Sequence, residues 1–303
     1  MTASAPLWFV GQTVLDQVWH IGSFSALGDK GVASAFDSRI GGLAGNAAVA
    51  ALALRDAQHS PAVRLFSAVG DDAAGERVAQ LAEGCGLDMR GVARIAGARS
   101  PVSAVLVDER GERQVHNFRG DVLQQAPLPR WPAECAGVMA DPRWPAAAEA
   151  ALLLARERGV VSVFDAEVAE GAVLRALVPL AKWCVFSRAG LAAWAADDRA
   201  TPNELLQRVA LAARDAERVV TLGVHGALWL RPDGQAHRLP AHDVEVFDSN
   251  GAGDVLHGVL LLSLAEGLPG DEALRRAMGA AALSCRGRLA GRQQLDDFLR
   301  DRG

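Results

Sequence analysis

Short, unbroken apolar runs alternate along this chain with longer Ala- and Leu-rich stretches of helical periodicity. The runs Leu7–Val10, Arg64–Val69, Gly137–Ala140, Val160–Phe164, Cys184–Ser187 and Arg218–Leu222 read as strands apolar on both faces. Between them, Asn46–Arg55, Gly75–Gly84, Trp144–Arg158, Gly171–Leu180, Asn203–Ala213 and Asp254–Ala265 read as helices. A strand apolar on both faces needs cover on both, and strand–helix alternation supplies it. The pattern predicts an α/β protein with a mainly parallel sheet between helical layers. Ligands of such sheets bind beyond the carboxyl ends of the strands.

Two stretches break the alternation. Gln12–Ile40 holds the runs Val14–Trp19 and Val32–Phe36, with polar and Gly-containing residues between them. Pro101–Val107 and Arg113–Phe118 flank the turn Asp108–Glu112 and read as a hairpin. Strands joined by short turns do not fit into a parallel sheet. They predict a small β lid, discontinuous in sequence (12–40 and 101–118), over a core formed by 1–11, 41–100 and 119–303.

At 303 residues the chain sits near the upper limit of one hydrophobic core, so one large domain with an appendage is expected. The 31 basic against 36 acidic residues argue against a protein that grips nucleic acid or an anionic membrane surface. A local basic pocket for an anionic substrate remains compatible with that balance. No apolar stretch approaches the roughly 20 residues of a membrane span. No Lys or Arg precedes Lys30, so the start lacks the positive region of a secretory signal. Cys85, Cys135, Cys184 and Cys285 are scattered, with no C-x-x-C pair. That spacing carries no zinc or redox signature and suits a reducing, cytoplasmic setting.

The most informative segment is Asp248-Ser249-Asn250-Gly251-Ala252-Gly253-Asp254, between the strand-like Val244–Phe247 and the apolar helix Val255–Ala265. Small residues at 251–253 leave amide N–H groups unobstructed, and a helix starting there aims them and its dipole at one point. Negative charge developing in a transfer reaction is stabilised there. Asp254, in the first turn, suits a general base for an attacking hydroxyl; a turn with an N-capping Asp is the plainer alternative. Gly41-Gly42-Leu43-Ala44-Gly45-Asn46 opens another helix, its glycines permitting close ligand approach. Thr221-Leu222-Gly223-Val224-His225-Gly226 follows a strand and is a weaker candidate for backbone contact with a nucleotide. Gly70–Arg77 has phosphate-loop glycine spacing but Glu-Arg where Lys-Ser/Thr is required.

These segments, in this order, resemble the ribokinase-like (PfkB) family of carbohydrate kinases over nearly the whole chain. The family's Asp-Thr-x-Gly-Ala-Gly-Asp corresponds to Asp248–Asp254, with Ser249 keeping the hydroxyl. The resemblance implies a three-layer α/β/α core with a β lid, and ATP with Mg²⁺ as cofactors. It implies Asp254 as the base acting on a sugar hydroxymethyl group, with Gly251, Ala252 and Gly253 stabilising charge. Asp16, Gly41, Gly42 and Asn46 correspond to sugar-binding positions, and Thr221, Gly223 and Gly226 to the nucleotide loop. In many relatives the lids pair across a homodimer. The family's Asn-x-x-Glu, which helps organise metal and phosphates, is absent: Ser187 and Gly190 stand at those positions, so the metal ligands stay unassigned.

Within the family, Gly28-Asp29-Lys30, Asp108–Arg113 leading to Asn117, Ala140–Trp144 and Phe186–Leu191 are similar to sulfofructose kinases. That likeness implies Lys30, Asn117 and Arg143 around an anionic substituent; a solvated Lys30 and an Arg143 paired with Asp141 are the alternatives. A kinase of neutral, fructose- or ribose-like sugars and a non-catalytic sugar or nucleotide sensor on the same fold are the competing readings. A dinucleotide-dependent oxidoreductase fits poorly, since G-x-G-x-x-G is missing.

Overall fold

The computed structural model describes residues 5–287 and 291–301. In chain order its first strands are β1 (Leu7–Val10), β2 (Val14–Ile21), β3 (Ala33–Gly41), β4 (Val63–Gly70), β5 (Asp88–Ile95), β6 (Val102–Val107) and β7 (Arg113–Phe118). There follow β8 (Gly137–Ala140), β9 (Val161–Ala166), β10 (Trp183–Ser187), β11 (Glu217–Thr221), β12 (Ala227–Leu230) and β13 (Ala236–Leu239). The helices are α1 (Leu43–Leu54), α2 (Ala73–Cys85), α3 (Val122–Gln125), α4 (Pro145–Glu157) and α5 (Gly171–Leu177), then α6 (Arg188–Ala195), α7 (Pro202–Ala212), α8 (Ala252–Ala265), α9 (Gly270–Ser284) and α10 (Arg292–Arg300).

Nine strands form the main sheet in the order β13-β12-β11-β10-β9-β8-β1-β4-β5. All neighbours are parallel except at β11-β12-β13, an antiparallel extension at one edge. Alternate residues of β1 serve opposite layers. Leu7 and Phe9 pack with the buried faces of α1, α8, α9 and α10. Trp8 and Val10 pack with α4, α5, α6 and α7. This period-two division makes the central strands read as unbroken apolar runs. The result is the three-layer α/β/α arrangement expected from the pattern.

The second sheet has the order β3-β2-β6-β7. β2 pairs antiparallel with β3, β6 antiparallel with β7, and β2 parallel with β6. The hairpin expected at Pro101–Phe118 is therefore joined side by side to the earlier pair.

Departures from the sequence pattern have local causes. Val244–Phe247 forms no strand. The backbone N–H groups of Phe247 and Asp248 both donate to the Cys285 carbonyl (2.8 and 3.1 Å), tying the segment to the end of α9 and not to a sheet edge. β5 and β13 are edge strands of mostly half-buried or exposed residues without an apolar run, and β12 is a four-residue strand that the alternation of strands and helices does not mark. Among the described residues, no helix is long and apolar enough to cross a membrane.

Candidate active site

α8 starts at Gly251, its N-cap, with φ 73°. A side chain in that left-handed conformation costs about 1 kcal/mol. Ala252, Gly253 and Asp254 make the first turn, whose amides have no partner inside the helix. Asp254 is buried, yet it borders the cavity described below. Its Oδ2 accepts a hydrogen bond from Asn46 Nδ2 (2.7 Å), which comes from the first turn of α1. The two helices cross so closely that a Cβ on Gly258 would lie 2.1 Å from the Ala47 carbonyl oxygen. That crossing brings their amino-terminal turns to one place.

Between these turns and the lid lies a cavity of about 200 Å³, lined by Asp16, Gly42, Asn46, Asn117, Arg143 and Asp254 among others. The lid's contribution follows from strand register. Asp16 of β2 is opposite Ser103 of β6, which is opposite Asn117 of β7, so three polar side chains form one row across the sheet. Gly41 is close by: a Cβ there would fall 2.2 Å from Asp16 Oδ2, so any side chain would displace that carboxylate. Arg143 donates its backbone N–H to Asp141 Oδ1 (2.7 Å) while the residue lines the cavity. Ser103 and Arg119 also line it, and neither stands out in the sequence. Alternation from Asp16 and Asn117 along paired strands was the available signal.

Lys30 is not brought there. It is exposed in the connection between β2 and β3, beyond the far end of β2 from the Asp16 row, and is not among the cavity-lining residues. Thr221 ends β11 with Oγ1 donating to the Phe186 carbonyl (3.3 Å), and Gly223 and Gly226 bound the tight turn that follows. A Cβ on Gly226 would lie 2.0 Å from the Leu239 carbonyl oxygen, so packing of the β12–β13 hairpin alone requires glycine there. None of the three lines this cavity.

Burial pushes the Asp254 carboxyl well above the usual carboxylate range, and the charge of Asp165 pushes it further; the Asn46 hydrogen bond works the other way. Asp165, at the carboxyl end of β9, is raised as well, by burial first and then by the charges of Asp141 and Glu167. Burial lowers His257 to about 4, so its ring is neutral at pH 7. Its Nε2 lies 3.5 Å from Asp165 Oδ1 and 3.4 Å from the Val185 carbonyl oxygen. Asp16 is also raised by burial, against the Ser103 hydrogen bond and the charge of Arg39. Both carboxyls facing the cavity therefore hold a proton more readily than an exposed one does.

A family model described as pfkB family carbohydrate kinase matches residues 9–296. The chain belongs to the pfkB family of carbohydrate kinases. A crystal structure from Agrobacterium tumefaciens, provisionally assigned as a ribokinase, superimposes with a TM-score of 0.91 at 28% identity, covering 99% of this chain and 98% of that one. An Arabidopsis thaliana ribokinase with ribose and ATP gives 0.72 at 18% identity over 98% and 99% of the two chains, a likeness of fold. The bifunctional protein HldE of Rhodopseudomonas palustris is 42% identical over 78 residues, which are 25% of this chain and 16% of that protein. The match thus spans about a sixth of such curated relatives.

Ser187 and Gly190 stand at the positions of the family's Asn-x-x-Glu, so a carboxylate from that motif is not available to a metal ion. The donors present are carboxylate oxygens and one imidazole. Ligand atoms of Asp165, Asp254 and His257 lie within 4.8 Å of one another, and Asp165 Oδ2 is buried without a hydrogen-bond partner. Hard oxygen donors with one oxygen unsatisfied fit Mg²⁺.

Proposed function

We propose that this chain is an ATP-dependent kinase that phosphorylates a hydroxymethyl group of a small sugar, and that the sugar is an anionic ketose of the sulfofructose type. The observation that carries the kinase reading is the position of Asp254. Its carboxylate borders a sugar-sized cavity at the start of α8, beside the first-turn amides that have no partner inside the helix. Arg143, Arg119 and Asn117, which line the same cavity, support an anionic substituent.

Asp16 and Asn46 hydrogen-bond the sugar hydroxyls and set the reacting oxygen against Asp254. Asp254 takes the hydroxyl proton as the oxygen bonds to the γ-phosphorus, and the bond to the bridging oxygen of the departing ADP breaks. The amides of Gly251, Ala252 and Gly253 receive the charge on the transferred group. Such transfer depends on positioning and electrostatics more than on covalent catalysis. Mg²⁺, when bound, would neutralise phosphate charge, and Asp165 is among the residues that would hold it. The lid excludes water and limits wasteful ATP hydrolysis. Thr221, Gly223 and Gly226 meet the nucleotide, and the exposed lid residues Phe36 and Phe118 favour pairing of two copies through the lid.

A neutral ketose or ribose-like sugar is the second reading, favoured by the distance of Lys30 from the cavity. A coupled ADP-release assay over neutral, phosphorylated and sulfonated ketoses separates the two. Preference for a sulfonated or phosphorylated ketose is expected. Equal turnover of fructose overturns the anionic reading, and sugar binding without ADP release across the panel overturns the kinase reading in favour of a sensor.

A further inference from the structure

The adjacent parallel strands β9 and β10 deliver an acidic group to their carboxyl ends that no local motif announces. Glu167 is the first residue after β9, and its Oε1 accepts from Ser187 Oγ (3.1 Å) at the end of β10 and from the Val168 N–H (2.7 Å). Gly190, in the first turn of α6, presses against the same loop. A Cβ there would lie 1.9 Å from the Ala166 carbonyl oxygen and 3.1 Å from the Glu167 carbonyl carbon. No side chain can project from position 190 in this packing. The carboxylate beside Ser187 therefore comes from the neighbouring strand end.

Two residues earlier, Asp165 is 1% exposed and its Oδ2 has no partner. A buried, unpaired carboxylate oxygen is costly unless a ligand satisfies it. The charges of Asp141, Asp254 and Glu167 all bear on this point, and a triphosphate adds more of the same sign. Arg143 offsets part of that charge, and a cation bound here would offset the rest beside a nucleotide. His257 turns Nε2 toward Asp165 Oδ1 and the Val185 carbonyl, so the carboxylate oxygens outnumber the single imidazole of the group. That donor set favours a hard divalent ion that keeps part of its water shell over zinc.

We propose that Glu167, oriented by Ser187, acts with Asp165 as the Mg²⁺-holding pair of this enzyme, in place of a carboxylate from α6. This rests on the kinase reading above. Glu167 would help hold the ion, and Ser187 is a positioning residue that fixes the Glu167 rotamer.

The test is Mn²⁺ binding to the full chain with saturating ADP, followed by electron paramagnetic resonance, for wild type, Glu167→Gln and Ser187→Ala. Glu167→Gln is expected to weaken Mn²⁺ about tenfold or more, and Ser187→Ala by a smaller factor. The Mg²⁺ concentration for half-maximal ADP release should rise in parallel, with sugar affinity measured by calorimetry unchanged. Mn²⁺ affinity within twofold of wild type in a folded Glu167→Gln overturns the assignment. Should that variant not fold, unchanged Mn²⁺ affinity in Ser187→Ala overturns it. A wild-type protein that neither binds Mn²⁺·ADP nor releases ADP with any sugar instead overturns the kinase reading, and this inference with it.

Discussion

Asn46 Nδ2 donates to Asp254 Oδ2 across 2.7 Å, joining the first turns of two helices 208 residues apart in the chain. The bond stabilises the ionised form of Asp254 against burial and the charge of Asp165. Asn46→Leu removes the donor, and Asn46→Asp puts a second carboxylate in its place. Both should make Asp254 harder to ionise. The acid limb of the kcat/KM profile should therefore move to higher pH, by about one unit or more for Asn46→Asp. An unmoved limb would show that Asn46 does not set the state of the base.

Asp165 makes a signed stability prediction. Its folded-state pKa lies well above the ordinary 3.8. Between those two values the folded state holds more protons than the unfolded, so stability falls as pH rises through the window. Asp165→Asn removes that dependence. Without Mg²⁺, the variant should melt a few degrees above wild type at pH 8, and the gap should close as the pH falls toward 4. A variant less stable than wild type at pH 8 would contradict this.

How much of this was readable in the chain depends on where each signal resides. The turn at Gly251–Asp254 and the helix start at Gly42–Asn46 are local: small residues, then a polar one, before an apolar helix. The central strands were legible because both faces of each are buried. Ser103, Arg119 and Glu167 were not, because their positions follow from strand order and register. Ser103 matters only because β6 pairs with β2, and Glu167 only because β9 lies beside β10. Lys30 lies away from this cavity because the β2–β3 connection carries it past the sheet, and similarity in sequence says nothing of how far a loop extends.

Asp141 braces the floor of the site. It is fully buried and accepts N–H bonds from Gln12 (2.8 Å), Ala44 (3.1 Å) and Arg143 (2.7 Å). Asp141→Ala leaves those three donors without their acceptor and should cost about 2–4 kcal/mol in urea unfolding. Asp141→Asn keeps one acceptor oxygen and should cost roughly half of that. A loss under about 0.5 kcal/mol for the Ala variant would mean that water replaces the carboxylate without penalty.

Arg143 governs substrate charge in this account. Arg143→Ala should raise KM for a sulfonated ketose about 10–100-fold, the range of one lost charge-assisted hydrogen-bonding partner, with little change for a neutral one. Equal effects on both sugars would indicate that Arg143 shapes the cavity without reading charge.

The most direct test of Asp254 as the base is the single-turnover rate of Asp254→Asn on the best substrate of the ADP-release screen. The Asn amide keeps the shape and, with its oxygen toward Asn46, the hydrogen bond. The expected rate is lower by about 10²–10⁴-fold, with sugar affinity preserved. A rate within a few-fold of wild type would contradict it.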